Sequence, residues 1–445
     1  MFRTLLIVIV VSLGLSWSVK AQDTLFTNLP KQWSLADCIE YAKKNNISLA
    51  TLRLTERSTE EDLLQSKAAV LPNLTGDVTQ NLVNGNNSNQ VTGISQNQAR
   101  FSGSYGLSSS MILYNGGYLK NDIRSKQFSV QSANLTVKET ENSLTLSIVQ
   151  AFFNVLLARE IIISLEAVLA TSTGQLQQGQ QRFDAGAIAK KDLLQLQSQV
   201  ATDQYNLVNA NNNLKLNTVD LKQLLLLPTS YDFQVSVPDT LSLQLSLTPL
   251  NDAQHVALQT RPEVMNKEVQ IKISQVELEK IKASTKPTIS LGGGLATDYS
   301  NNQGAEYLLQ LHNNFYQTLG VTMAVPIYSR RVNRTNINKS KILLQQSQLA
   351  LYDTKTILNQ QVERTYINLL NAEAQYNSAA TRLKTSEEIY SITNEQLKLG
   401  AVNVVELLQV KDTYLQALQT SIQAKYTVAL YNKIYEFYMG IPVTF

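Results

Sequence analysis

The chain repeats itself. At an offset of 214 positions Tyr114 recurs as Tyr328, Asn154 as Asn368, Gly186 as Gly400 and Pro228 as Pro442, and Leu193-Leu194-Gln195 recurs as Leu407-Leu408-Gln409. Nearer the start of each copy the offset is 215, which pairs Leu35 with Leu250, Asp37 with Asp252, Ala42 with Ala257 and Pro72 with Pro287. A one-residue slip therefore lies between Pro72 and Tyr114. A duplication of this length requires one order of elements to be built twice. The expected division is a first repeat over 22–228, a connector over 229–250 and a second repeat over 251–445.

Each copy holds a long stretch without proline, 73–227 and 327–441. Within them, residues 118–184 and 332–399 read as single helices. At 1.5 Å per residue each is roughly 100 Å long, far beyond a typical globular helix. Gly186 and Gly400 break the pattern, and return helices follow over 190–226 and 404–440. Leu193, Val200, Leu207, Leu214 and Leu221 recur every seven residues, a coiled-coil seam. Such a narrow seam suits helices laid side by side rather than a globular core.

Ahead of each long helix the texture changes. Residues 72–83, 100–113, 287–299 and 315–327 alternate with period two, as strands do. Phe101, Tyr105, Leu107, Met111 and Leu113 share one face of the second, opposite Ser102, Ser104, Ser108 and Ser110. An apolar face opposite a small polar face is the pattern of a transmembrane β-barrel, although a soluble sandwich alternates in a similar way. The segments joining them, 84–98 and 300–314, are rich in Asn, Gln, Ser and Gly and read as solvent loops. Four strands cannot close a barrel, since even small ones need about eight. An open sheet in lipid would leave its edges unsatisfied. Several chains must then share one barrel.

The first 21 residues read as a cleaved export signal: Arg3, an apolar run from Leu5 to Val11, then Val19-Lys20-Ala21. No later stretch reads as an apolar run of 18, so no membrane-spanning helix is expected. One cysteine, Cys38, and two histidines, His255 and His312, leave little for disulfides, metal sites or His-based catalysis. No nucleophile elbow, phosphate loop or paired metal ligands occur, so neither an enzyme nor a cofactor or metal is expected. A formal charge of +3 gives no basic footprint for nucleic acid.

With these pieces in order, the chain resembles the TolC family of outer-membrane efflux channels. The matching pieces are Leu35-Ala36-Asp37-Cys38-Ile39 with Asn45-Asn46, Ala68-Ala69-Val70-Leu71-Pro72, the strand exit Leu113-Tyr114-Asn115-Gly116-Gly117, and Phe183-Asp184-Ala185-Gly186 followed by Lys191-Asp192-Leu193-Leu194. The resemblance implies a mainly α chain with a membrane β-barrel: a homotrimer sharing 12 strands, four per chain, continued by a long α-helical barrel through the periplasm of a Gram-negative cell. It also implies outer-membrane lipid around the barrel, a periplasmic adaptor and an inner-membrane pump as partners, and small molecules or polypeptides as cargo. Elements built from the family's long C-terminal tail are not expected, since only Val443-Thr444-Phe445 follow Pro442. The short connector implies a thin equatorial belt.

By the same resemblance the helix tips are the working parts. Gly186, Ala187 and Ile188 form one tip, and Gly400, Ala401, Val402 and Asn403 the other; these would face the adaptor, or else be plain helix-hairpin turns. Asp192 and Glu406 lie six residues past each glycine. Carried over by position, Glu406 and Gln409 would line the periplasmic aperture, with Gln409 departing from the family's acid. A threefold ring of Glu406 would attract cations, while an acid in a first helical turn also favours the helix dipole; for Asp192 the dipole reading is preferred. The competing architecture is a periplasmic or surface coiled-coil scaffold without a pore.

Overall fold

The computed structural model describes residues 30–88, 95–236 and 248–442. The expected signal at 1–21 lies outside them, as does part of the connector. In chain order the elements are β1 (Gln32–Trp33), α1 (Leu35–Asn45), α2 (Ile47–Ala68), β2 (Thr75–Ser88), β3 (Ser95–Tyr114), α3 (Tyr118–Asp184), α4 (Lys190–Leu225), β4 (Gln234–Val235), α5 (Leu250–Thr260), α6 (Pro262–Ala283), β5 (Thr288–Ser300), α7 (Tyr307–Asn313), β6 (Tyr316–Ala324), α8 (Val332–Leu399) and α9 (Val404–Tyr438).

The helices α3 and α8 run 67 and 68 residues without interruption, about 100 Å each. Each is covered by shorter helices. Along α3 the return helix α4 packs beside the tip half, while α2 and α6 pack beside the half nearer the sheet. Along α8 the partners are α9, α6 and α5. One stretch in α3 is apolar enough on average to pass for a membrane span, although Gln150, Asn154, Arg159 and Glu160 interrupt its apolar residues. Its physical reason is the core: Ile148, Val149, Phe152, Phe153, Val155 and Leu156 are buried against Trp33, Leu35, Cys38, Leu221 and Leu225.

A second core repeats the first. Ala253, Ala257, Leu358, Val362, Leu369 and Tyr435 are buried together, and they stand at the repeat-matched places of Cys38, Ala42, Leu144, Ile148, Val155 and Leu221. Cys38 is thus a small buried helix residue whose counterpart is alanine. Burial, with the Asp37 charge adding to it, pushes its thiol pKa up to about 12.

At the girdle between sheet and tips, β1 and β4 pair in parallel, Gln32 beside Gln234 and Trp33 beside Val235. Trp33 donates its indole N–H to the Tyr231 hydroxyl at 3.1 Å and meets Tyr41 edge-on at 5.1 Å between ring centres.

The other sheet is antiparallel with strand order β2-β3-β5-β6, leaving β2 and β6 as edges. The strands outrun their apolar segments: β2 and β3 stay paired from Thr75–Ser108 up to Ser88–Ser95, so most of the segment expected as a loop at 84–98 is strand. In the other expected loop, α7 replaces part of 300–314. Between Ile112 and Tyr114, β3 carries one residue more than β5, within the stretch where the repeat offset slips. One face of the sheet carries Val78, Leu82, Phe101, Leu107, Leu295, Leu319, Val321 and Met323, all exposed. The opposite face carries Thr79, Ser104, Gly106, Asp298, Thr318 and Thr322.

Candidate functional site at the helical tips

The two hairpin turns are built alike. In the first, the Ala187 N–H reaches the Arg182 carbonyl at 2.7 Å and the Gly186 N–H reaches Phe183 at 2.8 Å. In the second, the Ala401 N–H reaches Gln396 at 2.9 Å and the Gly400 N–H reaches Leu397 at 3.1 Å. This nested pair of bonds needs a left-handed residue after the helix end. Gly186 and Gly400 supply it, at φ of 73° and 77°. The tips lie side by side: Arg182 of the first donates to the carbonyls of Leu397 (2.8 Å) and Lys398 (3.5 Å) of the second. A guanidinium there answers the negative end of α8.

The return helices start differently. The Asn403 side chain accepts the Glu406 N–H at 2.9 Å, so Asn403 is an N-cap. Ala189, opening α4, provides no side-chain cap. Glu406 and Asp192 both occupy first turns. Glu406 and Gln409 are exposed and Asp192 is half-buried. Among the described residues no hydrogen bond or ion pair joins Asp192 to Glu406 or Gln409. Beyond them Thr413, Gln416 and Thr420 continue an exposed polar face of α9, bordered by the exposed Asp412. Deeper in, Asn154, Asn206, Asn213, Asn217, Gln419 and Gln423 help line a groove of about 660 Å³ between α3, α4 and α9.

A buried cluster that sequence reasoning missed ties the hairpins together above the tips. The Lys411 ammonium of α9 meets the Asp203 carboxylate of α4 at 2.6 Å, both side chains almost wholly buried. Ser172 of α3 donates to the same carboxylate oxygen and accepts from Lys411, each at 2.5 Å. Gln199 donates to the other oxygen at 2.9 Å. Nearer the tip, Gln175 of α3 donates to Tyr390 (3.0 Å) and Asn394 (2.8 Å) of α8, and Tyr390 stacks on Tyr414. The signal was present: Asp203 falls in register with Leu196 and Ala210 on the buried seam of α4, where a charge demands a partner.

The model of a protein family described as "Outer membrane efflux protein" matches residues 38–225 and 253–431, one match on each repeat. The chain belongs to the outer membrane efflux protein family. Among relatives of this efflux protein, the outer membrane protein TolC of Vibrio cholerae is 23% identical over 407 residues, covering 89% of this chain and 88% of that one. The pyoverdine export outer membrane protein OpmQ of Pseudomonas aeruginosa is 22% identical over 396 residues, covering 88% and 81%. A crystal structure of CusC superposes with a TM-score of 0.79 at 18% identity, covering 94% and 96%. The fold of this efflux protein is accordingly TolC-like, mainly helical, with a four-stranded sheet and a tandem repeat. It is an outer-membrane protein with a large periplasmic helical portion.

Proposed function

We propose that the protein is a passive duct of a tripartite export system, carrying small molecules or polypeptides through periplasm and outer membrane. The observation that carries this reading is the four-stranded sheet with open edges β2 and β6 and an exposed apolar face. Copies of the same chain close those edges around a lumen lined by the Ser, Thr and Gly face, and the resemblance to the TolC family sets their number at three, twelve strands in all. OpmQ is a relative named for export of pyoverdine, which supports a small-molecule cargo here. The amide-lined groove and the weakly charged face of α9 suit a water-filled wall that binds no single cargo tightly.

Glu406 and Gln409 are assigned to the periplasmic aperture, where three copies of the exposed Glu406 ring the axis. Gly186, Ala187, Ile188, Gly400, Ala401, Val402 and Asn403 are assigned to docking of a periplasmic adaptor, which couples the duct to an inner-membrane pump. Asn403 would serve there as cap and contact at once.

The test is electron microscopy of the mature protein extracted in detergent from outer membranes, paired with conductance in planar bilayers. A threefold tube roughly 130–140 Å long is expected, from helix rise and strand rise together, with discrete conductance steps. A soluble monomer, or a solid rod that passes no current, refutes the duct and leaves the scaffold.

A further inference from the structure

The short helix α7 packs against the four-stranded sheet. Its contacts fall on one face of the sheet. Tyr307 shares a hydroxyl contact with Tyr105 at 2.8 Å and meets Tyr299 edge-on at 4.8 Å between ring centres. Thr297 donates its hydroxyl to the Leu311 carbonyl at 2.7 Å. Tyr105 pairs across the sheet with Thr297 and with Val78, and Tyr299 pairs with Gly103. All of these side chains share the face of Val78, Leu107 and Leu295, not the face of Ser104 and Asp298. A segment folded into the lumen would touch the second set.

What α7 turns away from the sheet is apolar. Leu308 is 76% exposed and Leu309 51% exposed, with His312 exposed beside them. Gln310 points inward and is satisfied by the Ser300 N–H and the Ala305 carbonyl. Leucines turned out on the polar rim of a barrel would be unfavourable in water, since each leaves most of its transfer free energy unused. The Tyr105–Tyr299–Tyr307 cluster joins α7 to the sheet face that carries Leu295 and Leu319, and aromatic side chains gather in this way at a membrane boundary.

We propose that α7 is an interfacial anchor, lying flat in the outer leaflet with Leu308 and Leu309 among the lipid acyl chains and His312 at headgroup level. This rests on the reading of the apolar sheet face as the lipid-facing one. The occupant is lipid because the patch lies on that face and α7 packs over β5, with Tyr307 reaching inward from the sheet edge to Tyr105 of β3.

The chain has a single cysteine, so Cys38→Ala, which installs the residue of the second repeat, gives a blank background. Leu308→Cys, Leu319→Cys and Ala187→Cys are each labelled with a polarity-sensitive NBD group. The labelled proteins are reconstituted in phosphatidylcholine–phosphatidylglycerol vesicles carrying a nitroxide near the headgroup end of the acyl chain. The expected result is a blue-shifted emission at position 308 that the nitroxide quenches as it does at 319, with 187 water-like and unquenched. Water-like emission at 308 with quenching at 319 overturns the anchor and leaves the barrel reading intact. Blue-shifted but unquenched emission at 308 also overturns it, and shows a neighbouring chain in place of lipid. No quenching at 319 overturns both readings.

Discussion

At the scale of single residues the two repeats solve one problem in two ways. Where the first repeat leaves its sheet, Gly116 and Gly117 take φ of 69° and 91°. At the matched places Arg330 and Arg331 take 46° and 68°, a region that costs a residue with a Cβ about 1–2 kcal/mol. At Gly116 an added Cβ would also stand 2.6 Å from Lys286 Cβ and 2.8 Å from the Ala283 carbonyl oxygen. Gly116→Ala should therefore lower stability by roughly 2 kcal/mol or more, whereas Arg330→Gly should be neutral or stabilising by up to about 1 kcal/mol; denaturant midpoints of the two variants check the asymmetry. The buried pair makes a sharper prediction. Lys411→Met strands the Asp203 carboxylate and should cost about 3–5 kcal/mol, and adding Asp203→Leu should recover a large part of it. If the double variant unfolds as readily as the single one, the carboxylate is not what destabilises it. Glu406→Ala should raise single-channel conductance or weaken its response to divalent cations; an unchanged conductance and cation response would remove Glu406 from the aperture. Cys38, with its thiol pKa raised by burial, should resist maleimide at neutral pH in the native state and react promptly once unfolded, because only the thiolate attacks.

At the scale of elements, what could be read depended on how many residues carried each signal. The long helices were legible because nothing across α3 or α8 forbids a helix except Gly174 and Gly179, which α3 absorbs. The strands were legible only where one side faces an apolar surroundings. Past Val83, Asn84-Gly85 and the polar residues beyond them have the composition of a loop, yet β2 continues to Ser88 because its partner β3 fills the hydrogen bonds. A ladder overrides propensity where no lipid demands an apolar side chain. The helix α7 spans 7 residues, too short for periodicity to show. The Asp203–Lys411 pair joins residues 208 apart; the odd charge in the seam was visible, but its partner was not, because the packing of the two hairpins is not written in either one alone. The tips were the reverse case: each glycine stood out, and the caps at Asn403 and Ala189 then differ by a single side chain.

At the scale of the whole molecule the duplication does the organising. Two equivalent cores, around Phe152 and around Leu369, brace two rods that end in adjacent tips, and one sheet draws two strands from each repeat. The edges β2 and β6 have a kinetic consequence. A lone chain has nowhere stable to rest in a bilayer, since the unpaired N–H and C=O groups along both edges would meet hydrocarbon. Entry into the membrane and meeting of the subunits are then one event rather than two. Its rate should climb steeply with the concentration of waiting chains, and a cell that makes few of them should hold them stranded outside the bilayer rather than inserted and incomplete.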